Sequence, residues 1–400
     1  MDYSERIHIK IFGENASIGF IEDESGLTII LKAPTNALKA IISGCRVQLL
    51  LGKDNKTTKP IIHSGVIIFD DPIKFMTITG ANLFYEENEA LKKILLSDSC
   101  RISFYNELSI CVASANFRVM DSLKEVALEM IGDTNCLYTG DFNEDVISSL
   151  NAFDYTLDRS RQFENPYLIE TVALDCQFSD WNIINNYFIG LNDKILTKID
   201  DEIEGTSFEN LVWFPIENLF ILNIYKNPKY KSAQGDKEVT DILAFYEKGI
   251  FLIEAKSLSI FSATENMSME RKIATQQKHI QKAIKQLVGA VHNIIRGTDI
   301  FSSTDEFIKI NRDIVPHCIV LVSELLPFGD WSEIEKYILT TMSKERFFIN
   351  VMDLNEFMRI IKYSQGRKEY FDFYLISRVE GFVKTKDIHM QVRMKPDDIL

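Results

Sequence analysis

Three charged residues stand at the ends of two apolar segments, where charge is costly. Residues 250–253 are all apolar, and Glu254 and Lys256 follow them directly. Because side chains in a strand alternate with a period of two, Glu254 and Lys256 are expected on the same face. Asp241 begins the preceding apolar segment, and the short turn at 247–249 predicts an antiparallel hairpin. Counting back from that turn places Asp241 roughly opposite Lys256.

These residue types indicate metal-dependent phosphate chemistry. Two converging carboxylates repel each other, and a divalent cation that prefers oxygen ligands, Mg²⁺ or Mn²⁺, relieves the repulsion. A lysine beside them can orient an attacking water and stabilise the negative charge that grows on a phosphate. Asp241, Glu254 and Lys256 therefore predict a centre that cleaves phosphodiester bonds.

The elements that position these residues follow from periodicity. Four consecutive apolar residues before Glu254 indicate a strand that is covered on both faces, as in an α/β sheet. Around the hairpin at 239–257, the pattern predicts helices over 191–214 and 270–297. It then predicts a strand over 315–324, a strand followed by a helix over 345–364, and a last helix over 368–382. Gly297 should close the long helix. This order predicts an α/β domain.

The N-terminal part has a different pattern. Its apolar segments read as strands of an antiparallel sheet or barrel, at 7–13, 16–22, 27–33, 45–52, 63–69, 74–80, 100–105 and 109–119. Helices are expected at 86–96 and 122–131, and the polar stretch 133–161 as a connection. We therefore expect a β-rich recruitment or regulatory domain over 1–160 and the α/β domain over 161–400.

Composition narrows the class of protein. At 400 residues the chain should form more than one domain, and 46% apolar with 26% charged residues is ordinary globular usage. The cysteines are scattered, which argues against a disulfide framework or a zinc ribbon. The net charge of −14 argues against indiscriminate coating of nucleic acid. The absence of a signal segment and of a long apolar run predicts a cytoplasmic protein without a membrane partner.

The segment TDILAFYEKGIFLIEAKS resembles the D-x(n)-E-x-K core of the PD-(D/E)XK nuclease superfamily, and in particular its nuclease-related and restriction-endonuclease-like branches. The likeness covers about residues 195–380. It implies a mixed central sheet flanked by helices, with Asp241, Glu254 and Lys256 as catalytic residues. Asp241 and Glu254 would be the metal ligands. Thr240 stands where the family often has proline.

The same family often takes a further glutamate from the preceding helix. EGTSFENLVWF is similar to the family's G-x-x-F-E-x-L helix, which nominates Glu209 as a catalytic and metal-binding residue. Pro215 should end or kink that helix soon afterwards. If it displaces Glu209, the alternatives are Glu202, Glu204 and Glu217.

The helix after the hairpin often adds a glutamine or lysine in this family. The candidates here are Gln277 and Gln281, with Gln286 a third, and the sequence does not choose among them. From Arg271 to Arg296 the helix contains basic residues and no acid.

Basic residues on and before this helix are candidates for binding nucleic acid. Their spacing places Lys278, Lys282 and Lys285 on one face, and with Lys272 they form a predicted surface for nucleic-acid phosphates. A solvated face that balances nearby acids is the alternative. Further candidates for a phosphate contact are Lys226, Lys229 and Lys231, which stand before the hairpin.

The sequence thus predicts an Mg²⁺- or Mn²⁺-dependent nuclease whose substrate is DNA rather than RNA. The resemblance adds a role in bacterial defence or restriction. The alternatives are a catalytically silent or partner-activated scaffold that binds nucleic acid or protein, and a ribonuclease. We also expect a protein partner that binds the N-terminal domain, and assembly of the chain into a homo-oligomer.

Overall fold

The computed structural model describes residues 3–69, 75–159, 163, 166–189, 194–199, 204–233, 235–257, 269–326 and 329–392. The protein is a mixed α/β protein whose chain divides into two compact units. The first comprises the residues up to Asn185, and the second comprises most of the chain from Asn186 onward.

The first unit is built on an eight-stranded sheet. Its strands are β1 (Ser17–Asp23), β2 (Gly26–Lys32), β3 (Arg46–Asp54), β4 (Ile61–Phe69), β5 (Met76–Ala81), β6 (Cys100–Tyr105), β7 (Cys111–Val119) and β8 (Glu170–Ile183), in the spatial order β1-β2-β6-β7-β8-β3-β4-β5. The β2–β6 pair is parallel, so the sheet is mixed rather than antiparallel as expected. The sheet is nearly closed, because a Cβ on Gly80 of β5 would lie 3.0 Å from Ser17 Oγ of β1.

Helices accompany this sheet. They are α1 (Tyr3–Gly13), α2 (Thr35–Ile42), α3 (Tyr85–Leu96), α4 (Lys124–Ile131) and α5 (Glu144–Leu157). The apolar core takes residues from every strand of the sheet, with α2, α3 and α4 contributing too. The predicted β-rich architecture of the N-terminal part is confirmed.

Three expectations for this unit need correction. Residues 7–13 form a helix, because Ile7 and Ile11, four residues apart, are both buried in one apolar cluster with Ile21 and Ile30. The stretch expected as a connection contains α5, whose N-terminus is capped by Asn143. The estimated boundary near residue 160 precedes β8, which pairs within the first sheet, so the first unit extends past it.

The second unit is built on a mixed five-stranded sheet flanked by helices. In chain order its elements are β9 (Asn186–Ile189), β10 (Lys194–Thr197), α6 (Glu204–Leu219), β11 (Ile224–Lys226), β12 (Lys229–Ser232), β13 (Gly235–Glu238), β14 (Ile242–Tyr246), β15 (Gly249–Lys256), α7 (Met269–Ile295), β16 (Ile300–Phe301), β17 (His317–Val322), α8 (Ser332–Glu345), β18 (Phe348–Asp353), α9 (Leu354–Ser364) and α10 (Lys368–Thr385). The sheet order is β11-β14-β15-β17-β18.

Strand β15 is the central strand of this sheet. It runs antiparallel to β14 and parallel to β17, which is itself parallel to β18. Residues 249–255 of β15 are buried, as expected for a strand covered on both faces. The predicted mixed sheet with flanking helices is confirmed at this level of description.

Sequence periodicity misplaced some elements of the second unit. Of the predicted helix 191–214, residues 194–197 form strand β10, whereas residues 204–214 belong to α6. Pro215 does not end α6, which continues to Leu219. Helix α8 was not expected. None of the helices in the described part of the chain is long and apolar enough to cross a membrane.

Candidate metal centre

The hairpin of β14 and β15 sets the register of the candidate site. Tyr246 pairs with Gly249, and Ile242 pairs with Ile253. Continued by one pair, this register places Asp241 opposite Glu254. Sequence counting placed Asp241 roughly opposite Lys256, because it took the turn to be longer than the two residues that separate Tyr246 from Gly249. The shift is two residues, so Asp241 stays on the expected face.

The three predicted residues contact one another. Lys256 Nζ donates a hydrogen bond to Glu254 Oε2 at 2.6 Å and lies 3.5 Å from Asp241 Oδ2. The backbone N–H of Ala255 donates to Asp241 Oδ2 at 2.7 Å. That bond holds the Asp241 carboxylate across the end of β15. One ammonium therefore bridges two carboxylates on a single face.

Burial makes it costly to keep both carboxylates of this cluster ionised. Only 3% of the Glu254 surface is exposed. Burial and then the charge of Asp241 raise the pKa of Glu254 to about 7. Burial alone would lower the pKa of Lys256, but the charges and hydrogen bonds of Glu254 and Asp241 raise it overall. A second positive charge near Asp241 and Glu254 would relieve their repulsion.

Two more glutamates lie within electrostatic reach of the cluster. Burial and then the charge of Asp241 raise the pKa of Glu209 on α6 and of Glu238 at the end of β13. Sequence reasoning nominated Glu209 but missed Glu238, although Glu238 stands only three residues before Asp241. Of the alternatives, Glu217 is buried.

Two of the alternative glutamates cannot be placed. Glu202 lies outside the described residues, and the side chain of Glu204 is not among those described.

The donor set fits a hard divalent cation in chemistry but is incomplete in number. Carboxylate oxygens are the ligands that Mg²⁺ and Mn²⁺ prefer, and Asp241 with Glu254 supplies a pair of them. Among the described residues, however, no three His, Cys, Asp or Glu side chains are arranged to hold one ion. Glu209 therefore does not join the pair as a third ligand in this conformation.

Helix α7 carries the predicted row of lysines. Lys278, Lys282 and Lys285 are exposed, as predicted. Burial and then the charges of Lys282, Lys256 and Lys278 lower the pKa of the neighbouring His279. Because the charge of Lys256 also acts on His279, His279 lies within electrostatic range of the candidate centre.

The prediction that Lys272 binds nucleic-acid phosphates needs correction. It is only 4% exposed and has an interaction partner within the protein. It lies on α7 one residue before Ile273, which is also buried. Position on the helix, rather than charge, thus decides that Lys272 faces the interior.

The three candidate glutamines of α7 differ in their surroundings. Gln277 Nε2 donates to the Asp330 carbonyl at 2.6 Å, Gln281 is half-buried and Gln286 is exposed. Sequence reasoning missed Gln276, which is fully buried.

Gln276 connects α7 to the segment that follows β17. Its Nε2 donates to the Glu324 carbonyl at 2.5 Å, and its Oε1 accepts from the Leu326 N–H at 3.1 Å. Gln276 thereby fixes α7 against that segment.

The lysines before the hairpin have partners inside the protein. Lys226 donates to Asn210 Oδ1 at 2.7 Å. Lys229 forms ion pairs with Asp236 at 3.2 Å and Asp305 at 2.9 Å. The Lys231 ammonium lies 5.2 Å from the centre of a Phe301 ring. The positive charge of Lys229 is thus already balanced.

Comparisons with known proteins add no assignment to this geometry. No protein-family model matches the sequence, no curated protein matches it, and no solved structure matches the fold.

Proposed function

We propose that this protein is a metal-dependent nuclease that hydrolyses phosphodiester bonds of DNA, with a restriction-endonuclease-like catalytic unit. The observation that carries the proposal is the contact of Asp241, Glu254 and Lys256 on one face at the end of β15. Two acids and an amine recur at this spacing in the PD-(D/E)XK core that the sequence resembles. The mixed sheet with flanking helices is compatible with that fold.

The residues have separate roles in the proposed reaction. Asp241 and Glu254 would hold Mg²⁺ or Mn²⁺, with Glu209 or Glu238 turning toward the ion to complete its shell. Such an ion, when bound, lowers the pKa of a water ligand and neutralises charge on the phosphate. Lys256, released from Glu254, donates hydrogen bonds to the attacking water or to the phosphate oxygens, where negative charge grows.

The basic face of α7 would hold the substrate. Lys278, Lys282 and Lys285 are exposed on α7, and His279 of the same helix lies within electrostatic range of Lys256. Contacts of this kind position a phosphate backbone without reading its sequence. The preference for DNA, and a role in bacterial defence or restriction, come from the resemblance. RNA is the alternative substrate.

Removal of a charged member of the centre tests the proposal. Lys256→Ala and Asp241→Ala should each lower Mn²⁺-dependent cleavage of labelled DNA by about 100-fold or more, because each removes a group that acts on the developing charge or on the metal. Far-ultraviolet circular dichroism should show that both variants are folded. Lys248→Ala, in the exposed turn of the same hairpin, is the matched control and should keep full activity. Full activity of Lys256→Ala or Asp241→Ala refutes the assignment.

A partner-activated or silent scaffold is the second candidate. It is favoured by the finding that the described residues bring no third ligand to Asp241 and Glu254. Calorimetric titration with Mn²⁺ separates the two. Binding that vanishes in Asp241→Ala supports the enzyme, and no binding by the wild-type protein supports the scaffold.

A further inference from the structure

One flank of α7 is turned toward α8. Gln277 donates to the carbonyl of Asp330, just before α8, at 2.6 Å. Further along the helix, His292 Nε2 lies 2.7 Å from Glu345 Oε2 at the end of α8. Helix α8 packs against β18, the edge strand of the five-stranded sheet. This flank of α7 therefore faces the β18 side of the sheet.

The opposite flank of α7 carries His279, which is exposed. Two residues of a helix span about 200° of rotation, so His279 and Gln277 lie on opposite flanks. Between them, Gln276 and Ile280 are buried on the face that packs against β15 and β17. Because α8 and β18 lie beyond the first flank, His279 faces the side of β14 and β15.

Helix α7 covers the face of β15 that carries the candidate centre. Residues 249–255 of this strand are buried, and α6 and α7 both pack against it. The ring of Phe220, directly after α6, lies 5.2 Å from that of Phe251, so α6 covers the Phe251 face. Glu254 and Lys256 belong to the other face, because side chains in a strand alternate. That face is left to α7.

The position of His279 along α7 also matches the centre. Gln276 Nε2 donates to the carbonyl of Glu324, two residues beyond Val322 of β17, which pairs with Lys256. Gln276 therefore lies about 6.6 Å beyond Lys256 along the strand direction. As the connection between two parallel strands, α7 runs back along them, and His279 is about 4.5 Å further along its axis than Gln276. His279 is thus nearly level with Lys256.

The charges around His279 favour its neutral form. Burial lowers the pKa of this histidine, and the charges of Lys282, Lys256 and Lys278 lower it further. An imidazole whose pKa lies below its ordinary value is neutral at neutral pH and can accept a proton. Other charged groups on the elements packed against α7 are Asp241 and Glu254 of the hairpin, Glu324 after β17, and Glu345 of α8.

Lys256 is unsuited to accept a proton. Although burial lowers its pKa, the charges of Glu254 and Asp241 raise it overall, so its amine stays protonated. The two carboxylates are the proposed metal ligands. A general base is therefore needed from another element, and histidine serves in this role most often.

We propose that His279 is the general base of the second unit and accepts a proton from the attacking water, a role that rests on the proposed nuclease function. As the proton moves to the imidazole, the water oxygen forms a bond to phosphorus, and the bond from phosphorus to the leaving oxygen breaks. The leaving oxygen takes a proton from the solvent. His279 then returns its own proton to the solvent.

Single-turnover cleavage of labelled duplex DNA by the full-length protein, at saturating Mn²⁺, tests the proposal. His279→Ala should lower the rate at pH 8 by about 100-fold, as expected for the loss of a general base. Added imidazole should restore part of the rate, in proportion to the concentration of its neutral form, because a small base can take the place of the missing side chain. His292→Ala, on the other flank of α7, is the matched control and should keep full activity.

Two measurements without catalysis separate this role from a structural one. His279→Ala should bind Mn²⁺ in calorimetry, and DNA without metal in fluorescence anisotropy, as the wild type does. In the metal-free protein, proton NMR should show that Lys256→Ala raises the pKa of His279, because it removes a positive charge. An unchanged pKa of His279 in that variant overturns the proposal, and so does loss of Mn²⁺ binding in His279→Ala.

The outcomes for the two proposed roles are distinct. Full activity of His279→Ala beside a loss in Lys256→Ala overturns the role of His279 and leaves the nuclease standing. Full activity of His279→Gln has the same meaning, since glutamine forms hydrogen bonds but does not take up a proton. Absence of Mn²⁺-dependent cleavage by the wild-type protein overturns both roles together.

Discussion

Glu254 is buried at the end of β15, and Asp241 stands opposite it in the hairpin. Both features oppose ionisation, and together they raise the pKa of Glu254 from 4.5 to about 7. A carboxyl group that titrates near neutral pH can keep its proton without a cation and release it when a cation binds. The affinity of the centre for metal should therefore depend on pH.

The raised pKa also makes the free energy of unfolding depend on pH. Between pH 4.5 and about 7 the folded protein keeps the Glu254 proton that the unfolded chain has already lost, so stability falls as pH rises through this window. In the absence of metal, the free energy of unfolding of Glu254→Gln relative to that of the wild type should therefore increase by on the order of 2–3 kcal/mol from pH 5 to pH 8. Urea unfolding at both pH values measures this. Glu247→Gln, in the exposed turn, is the control and should show the same dependence of stability on pH as the wild type. The prediction is contradicted if Glu254→Gln also shows that dependence.

Helix α7 is the element that joins the centre to its proposed substrate surface. Its inner face is apolar, with Ile280, Ile284 and Leu287 fully buried. Its outer face carries the exposed lysines. Gln276, which bonds to the Glu324 carbonyl and the Leu326 N–H, fixes the helix against the segment after β17. A rigid helix keeps its positive charges at constant positions relative to Lys256.

The lysines of α7 should control how DNA affinity depends on salt. The triple variant Lys278→Ala, Lys282→Ala, Lys285→Ala should bind duplex DNA more weakly, and the slope of log K against log salt should be reduced by about one for each lysine that contacts a phosphate. Fluorescence anisotropy at several salt concentrations, without divalent metal, measures both quantities.

A triple variant of matched charge is the control for this experiment. Lys336→Ala, Lys384→Ala, Lys386→Ala changes exposed residues of α8 and of the C-terminal end of α10. It should retain the wild-type slope. An equal loss of DNA affinity in both triple variants would mean that net charge, and not the surface of α7, attracts the DNA.

At the scale of the whole molecule, the protein consists of two compact units with separate sheets. The acidic cluster belongs to the second unit, so the candidate centre is formed within one unit. A ligand that binds there should stabilise the unit that holds it.

Scanning calorimetry tests this separation. Mn²⁺ should raise the unfolding temperature of one transition only, by the equivalent of about 2.7 kcal/mol at a concentration one hundred times its dissociation constant. Asp241→Ala should abolish the shift without moving the other transition. A shift that persists in Asp241→Ala would place the metal elsewhere.

Much of the candidate site was predictable from local sequence. The four apolar residues before Glu254 require a buried strand, and the period of two places Glu254 and Lys256 on one face. Both features depend only on residues adjacent in the chain. The hairpin brought Asp241 to the same face, and the error of two residues in its register left that face unchanged.

Other features depend on contacts between distant segments, and only the tertiary structure decided them. Ile7 to Ile11 alternates like a strand, but the apolar cluster with Ile21 and Ile30 selects a helix. Lys272 has the same charge as Lys278, yet its side of α7 is packed inside. Glu209 lies within electrostatic range of Asp241 because α6 packs against β15. Local periodicity determines which way a side chain points, whereas its burial and its neighbours depend on what packs against it.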